Sequence, residues 1–234
     1  MQKPYIVAHR GASFYEPENT LRAFELGIKQ GADFIECDVR LSADGHLVIM
    51  HDPTLGRTTN GRGKIAKTTL SELRKLDAGK GEKIPLLGEV LDLAKQNNVG
   101  IIIEIKVSFA EKQVVELLVQ EKMIEKTVVI SFLFSVLHKC HELFPDLRTG
   151  FLFKAWDRAS MWLASRVKAK LLCPRADFLT AKTVEKAHKK NFEIMTWTVN
   201  NEEEMKRAVG LGVDYIGTDK PDVLQRILTR RPNG

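Results

Sequence analysis

Two histidines, three carboxylates, an arginine and a lysine fall where short apolar runs end. His9 and Arg10 stand side by side after YIVA, followed by a glycine. Glu36 and Asp38 are two apart near the end of DFIECDV, so in a strand both point to one face, while Cys37 between them faces the other way as packing. Glu104 and Lys106 repeat that spacing at the end of GIIIEIK, and His51 follows the apolar arm HLVIM. Salt bridging around a rim would account for carboxylates taken singly. Three of them turned inward would repel one another without a cation. Such an oxygen-rich set suits a hard divalent ion, Ca2+, Mg2+ or Mn2+. Beside it, Arg10 and Lys106 suit phosphate oxygens. His9 and His51 titrate near neutrality, and in that company they suit proton transfer.

These side chains converge only if the elements carrying them do. Short β-branched runs alternate with stretches of helical period along the whole chain. Strands are expected at YIVAH, DFIECDV, GIIIEIK, TVVISF, TGFLF, AKLLC, EIMTWTV and DYIGT. Helices are expected at 20–30, 89–97, 111–122, 135–144, 156–168, 181–190, 201–210 and 221–230. Leu21, Phe24 and Ile28 share a face ahead of Gly31, Asn200 is expected to cap a helix whose first turn holds Glu202, Glu203 and Glu204, and Pro221 suits a first turn. Eight strands each leading to a helix predict an α/β fold, a (β/α)8 TIM barrel, ahead of a doubly wound open sheet. Residues 40–88 break the rhythm with a DG turn between apolar arms and the Gly-rich PTLGRTTNGRGKIAKTT. They predict a hairpin and a small insertion after the second strand, whose returning arm brings His51 to the mouth. No linker divides the chain, so residues 1–234 read as a single domain with a frayed RRPNG tail.

Composition narrows the function. The net charge of +6 favours anionic ligands without naming one. Nucleic acid is a poor candidate, because the lysines spread over helix exteriors and no motif with interleaved aromatics occurs. Three cysteines make no disulfide framework, no signal peptide is evident, and TVVISFLFSVL is too short to span a bilayer; the expected location is the cytoplasm. His46, His188 and the pair His138 and His141 read as solvated; Asp219 ends the last strand and could reach the mouth, but a cap for the last helix is the plainer reading.

HRG with PENT, GADFIECDVRLSADGHLVIMHD with RTTNGRG, IEIK, TWTVN and GVDYIGTDKPD together resemble the glycerophosphodiester phosphodiesterases, in the same order and over residues 8 to about 223. The resemblance implies a metal-dependent barrel enzyme that cleaves glycerophosphodiesters to sn-glycerol 3-phosphate and an alcohol. It implies His9 and His51 as the general acid and base, Glu36, Asp38 and Glu104 as metal ligands, Arg10 and Lys106 as phosphate-binding residues, and Trp197 as a wall of the pocket. The attacking group is water or a glycerol hydroxyl, and either histidine can be the acid. A barrel that binds such diesters without turning them over is the rival, disfavoured by the intact histidines. FKAWDRASMWLASRVKAK, after the fifth strand, matches no motif of that family. Met161 and Trp162 are expected on the core face of its helix, with Trp156 nearer the mouth. Phe14 and Tyr15, in the loop after the first strand, have no helical face to bury and would offer an apolar ledge beside the site. That ledge predicts lysophospholipid cleavage of the lysophospholipase D type and transient contact with a membrane surface.

Overall fold

The computed structural model describes residues 3–154, 156 and 158–229. The RRPNG tail lies outside the described residues. Nine strands are described: β1 Tyr5–His9, β2 Phe34–Leu41, β3 Leu47–Ile49, β4 Gly100–Ile105, β5 Thr127–Ser131, β6 Arg148–Phe153, β7 Leu171–Pro174, β8 Glu193–Thr196 and β9 Tyr215–Thr218. Eight of them pair in parallel in the order β1-β9-β8-β7-β6-β5-β4-β2, and β1 pairs with β2 to close the barrel. The remaining strand, β3, folds back antiparallel on the upper end of β2, as the DG turn requires.

Alternation along each strand sorts side chains between two cores. Val7, Ile102, Val128, Ile130, Leu171 and Met195 fill the barrel. Ile6, Ile35, Ile101, Ile103 and Ile216 face outward and pack under the helices. Each such burial is worth about 1.5–3 kcal/mol, so a charge at Ile103 would undo the second layer. The flanking helices are α1 Leu21–Lys29, α2 Leu70–Leu73, α3 Leu87–Gln96, α4 Glu111–Gln120, α5 Phe134–Leu143, α6 Arg158–Arg166, α7 Ala181–His188, α8 Glu202–Leu211 and α9 Pro221–Thr229. Cys37, Cys140 and Cys173 are all buried and unpaired. No described helix is long and apolar enough to cross a membrane.

Two local readings need correction. The cap of α8 is Asn201, whose side chain accepts from the Glu203 amide at 2.8 Å; Asn200 is engaged elsewhere. On α6, Met161 and Ala164 are buried, but Trp162 is exposed with Arg166 over its ring. Met161 and Ala164, three apart, share the buried face, and Trp162, about 100° round the helix from Met161, falls on its solvent side.

Candidate active site

The strand register sets the polar residues. His9 pairs with Glu36 across β1 and β2, and Asp38 pairs with Glu104 across β2 and β4. All four therefore sit at the C-terminal rim, where the loops of such a barrel build their sites. At the end of β1 the backbone turns sharply, with Arg10 at φ 55° and Gly11 at φ 82°. A Cβ at Gly11 would lie 2.4 Å from the Ala23 carbonyl carbon, so only glycine lets the loop pass this close to α1. The turn aims the Arg10 amide at Glu36 Oε2, 2.8 Å away. From the following loop Asn19, also left-handed, gives its side-chain amide to Asp38 Oδ2 at 2.8 Å and accepts from the Asp38 amide. Thr20 then caps α1 by accepting from the Ala23 amide. The PENT stretch thus starts a helix and steadies a buried carboxylate.

The insertion delivers His51. The amide of Met50 donates to the Asp38 carbonyl at 2.9 Å, and Arg40 Nη2 donates to the His51 carbonyl at 2.6 Å. Behind them Val48, Met50, Leu55, Ile65, Leu73 and Ile84 make a small core of their own. His51 therefore rides on a packed platform.

Glu36, Asp38 and Glu104 are 2%, 0% and 8% exposed, and one oxygen from each lies within 4.8 Å of the other two. Burial first, then the neighbouring Asp38 charge, pushes Glu36 up to about 7 and raises Glu104. Burial acts against the Asp38 charge as well, but Lys106 and Arg10 overcome it and hold that carboxyl down to about 2. Lys106 Nζ is 3.0 Å from Asp38 and 2.7 Å from Glu104, while Arg10 Nε is 3.2 Å from Asp38. Asp38 Oδ1, fully buried, faces the Lys106 ammonium at 3.0 Å. Three buried carboxylates this close together make a donor set that a hard cation completes. These three residues could hold one.

Each histidine has its own carboxylate. Asp219, at the end of β9, meets His9 Nδ1 at 2.7 Å and accepts from Ser13 and from Asn200. It orients a histidine, then, and the reading of Asp219 as a helix cap is corrected: Asn200 has no free side chain for α8 because it serves Asp219. Asp52 meets His51 Nδ1 at 2.7 Å. Burial disfavours the His9 cation, yet the bond to Asp219 and the Glu36 charge outweigh it and raise His9. For His51 burial leads, Arg10 and Lys106 add to it, and the result lies below the ordinary imidazole value despite Asp38 and Asp52.

His9, Arg10, Glu36, His51, Glu104 and Lys106 form one wall of a narrow cleft. The other wall is apolar: Ile130, Phe132, Leu152, Met195 and Trp197. Trp197 is braced by donating Nε1–H to the Cys173 carbonyl and by an edge contact with Phe132. The structure thus brings together His9, His51, Arg10, Lys106, the three carboxylates and Trp197. Phe14 and Tyr15 lie outside this lining. Phe14 is 61% exposed beneath the Lys220 ammonium, and the Tyr15 hydroxyl donates to Asp222. A roomier hollow at the opposite end of the barrel holds charges that pair among themselves, Arg148 with Glu193, His188 with Asp214 and Lys189 with Glu185. Spacing along the sequence pointed to neither Asn19 nor Asp52 as a partner of the site, their only trace being their place inside PENT and HD; it put Asp219, at the end of the last strand, within reach of the mouth but favoured a helix cap.

A model of the Glycerophosphoryl diester phosphodiesterase family matches residues 9–223. A glycerophosphodiester phosphodiesterase of Caldanaerobacter subterraneus is 35% identical over 240 residues, covering 97% of this chain and 99% of that protein. Among solved structures, an Oleispira antarctica phosphodiesterase in complex with the product sn-glycerol-3-phosphate superposes with a TM-score of 0.90 at 29% identity, covering 97% of this chain and 98% of that one. A glycerophosphodiester phosphodiesterase of Agrobacterium tumefaciens gives 0.85 at 32% identity, over 95% and 99% of the two chains. Eight parallel strands, a carboxylate cluster between two histidines and these likenesses lead to one conclusion: the chain belongs to the glycerophosphoryl diester phosphodiesterase family and hydrolyses glycerophosphodiesters.

Proposed function

We propose that the reaction runs between His51 and His9 over a divalent cation, Ca2+ or Mg2+, held by Glu36, Asp38 and Glu104, and yields sn-glycerol 3-phosphate. The observation that carries this is the buried carboxylate triad flanked by two histidines, each with its own acidic partner. When bound, the cation supplies positive charge against which the diester's anionic oxygens are stabilised. Arg10 and Lys106 contribute fixed positive charge beside it, where the transition state gathers negative charge. His51, kept neutral, takes the proton of the attacking oxygen at Nε2, since Nδ1 is committed to Asp52. His9, kept charged by Asp219, gives a proton from Nε2 to the departing alkoxide. The substrate is a small water-soluble diester, and the three unpaired buried cysteines suit a reducing location, the cytoplasm.

The opposed shifts make a pH test. Turnover needs His51 without its proton, so activity is lost as pH falls through the lowered His51 value. It needs His9 with its proton, so activity is lost as pH rises through the raised His9 value. Asp219→Asn removes the hydrogen bond that raises His9. The alkaline limb of kcat/KM should move to lower pH while the acid limb stays. Movement of the acid limb instead would exchange the two roles.

A second reading has its own observation. The wall facing the catalytic groups is apolar, and at the same end of the barrel Phe14 is 61% and Phe109 85% exposed on loops after β1 and β4. An acyl chain leaving the cleft would find these surfaces, and Phe14 and Tyr15 would serve as its ledge. Lysophospholipids are then additional substrates, met at a membrane surface, each buried methylene favouring the longer chain by at most ~0.8 kcal/mol. The comparison is kcat/KM for glycerophosphocholine and for a short-chain lysophosphatidylcholine below its micelle threshold. Phe14→Ala should depress only the second. No cleavage of the lysolipid by the wild type would leave the water-soluble diesters alone.

A further inference from the structure

Two sequence stretches carry side chains that the reaction above does not use: RTTNGRG, residues 57–63, and PENT, residues 17–20. In the fold they meet. The Arg57 guanidinium gives Nε to Asp52 Oδ2 at 2.6 Å and Nη2 to Asp52 Oδ1 at 3.1 Å. On its other edge Nη1 reaches Glu18 Oε2 at 2.7 Å and Nη2 reaches Glu18 Oε1 at 2.8 Å. One planar fork thus holds two carboxylates, each with two bonds. Both carboxylates continue inward. Asp52 Oδ1 is 2.7 Å from His51 Nδ1, and Glu18 Oε1 accepts from Arg10 Nη1 at 2.9 Å.

We propose that Arg57 is a positioning residue that sets two working groups at once, the His51 ring through Asp52 and the Arg10 guanidinium through Glu18. The inference rests on the roles given above to His51 and Arg10. An exposed ion pair is usually worth little, and the Arg57 side chain is 46% exposed. Its partners are not: Glu18 is 19% and Asp52 22% exposed, and each already serves a residue of the cleft. The elements explain why a bridge is needed. Arg10 and Glu18 sit on the loop between β1 and α1, whereas His51, Asp52 and Arg57 belong to the insertion after β3. Both segments border the same cleft, with Arg10 from one and His51 from the other, and Arg57 ties them together. Without Arg57, Asp52 keeps its bond to His51 but loses the clamp that orients its own plane. Glu18 keeps Arg10 as its remaining cation and draws that guanidinium away from the phosphate. Lysine cannot replace it, since one ammonium is a point charge and not a fork that spans two carboxylates.

The test separates the two arms with kcat for glycerophosphocholine, the inhibition constant of glycerol 3-phosphate and the melting temperature. Asp52→Asn should lower kcat with the inhibition constant near wild type. Glu18→Gln should weaken glycerol 3-phosphate and lower kcat less than Asp52→Asn does, since a displaced Arg10 also stabilises the transition state less. Arg57→Ala should do both, with kcat down about 10²-fold and binding about tenfold weaker, while the melting temperature stays within a few degrees. Arg57→Lys should recover one arm at most, and Arg57→Gln, which keeps bulk, covers an alanine variant that fails to fold. Wild-type kcat and inhibition constant in Arg57→Ala and Arg57→Gln overturn the proposal, as does full recovery of both by lysine. Loss of one parameter only in the Arg57 variants overturns the double role. A His51→Ala variant with undiminished kcat would sink the histidine assignment instead, which is a separate result.

Discussion

Exhaustive chelation should abolish turnover, and added Ca2+ or Mg2+ should restore it. Glu36, Asp38 and Glu104 are all but enclosed, and they sit within ligand distance of one another. A protein does not gain by burying three carboxylates for structure alone; the cost of keeping them charged is visible in Glu36, pushed up to about 7 by burial and by Asp38. That shift gives the test a second readout. Without the cation, burial and Asp38 favour the protonated forms of Glu36 and Glu104. Ligation requires the carboxylates, so cation binding should release protons, seen as a titration heat that changes with the ionisation enthalpy of the buffer. The melting temperature should rise too. Cation at a hundred times its dissociation constant adds about 2.7 kcal/mol, or roughly 5–10 °C for a chain of this size. Asp38→Asn removes the most acidic ligand and leaves Lys106 and Arg10 without their shared anion, so it should abolish both the heat and the activity. Full turnover in a chelated sample, with no titration heat on adding cation, would mean that Lys106 and Arg10 neutralise the triad unaided.

The barrel and the inward residues were readable from sequence for one physical reason. Strand geometry alternates strictly, so once GADFIECDV is a strand, Glu36 and Asp38 must share a face and Cys37 must take the other. The same rule placed Glu104 with Lys106, and the DG turn brought His51 back along β2 to the mouth. Contacts between loops obey no such period. His9 and Asp219 are 210 residues apart, Arg57 and Glu18 are 39 apart, and Asn19 and Asp38 are 19 apart. Nothing local distinguishes an aspartate that caps a helix from one that orients a histidine; only closure of the barrel, with β9 beside β1, puts Asp219 against His9. Asn200 misled for the same reason. It precedes three glutamates as a cap would, yet it gives its side chain to Asp219 and leaves the cap to Asn201. The roles of Glu18 and Arg57 were hidden inside motifs whose letters were visible but whose meeting was not.

His9→Ala and His51→Ala should each lower kcat by about 10²–10⁴-fold with the fold intact, because both rings stand partly in solvent, 16% and 34% exposed, and neither belongs to a packed core. The two losses should nevertheless differ in kind. A departing alkoxide is a strong base and needs its proton during bond cleavage; a nitrophenolate leaves as an anion without help. If His9 is the acid, a diester of glycerol phosphate with p-nitrophenol should restore most of the activity of His9→Ala and little of that of His51→Ala, whose missing base is needed whatever leaves. Asp219 gives a graded version of the same experiment. It holds His9 Nδ1 at 2.7 Å and is itself held by Ser13 and Asn200, so Asp219→Asn should keep the ring's place while weakening the cation. Its deficit should be large with glycerophosphocholine and small with the nitrophenyl diester. Equal deficits with both leaving groups would show that Asp219 acts on the geometry of the mouth and not on the proton that His9 delivers.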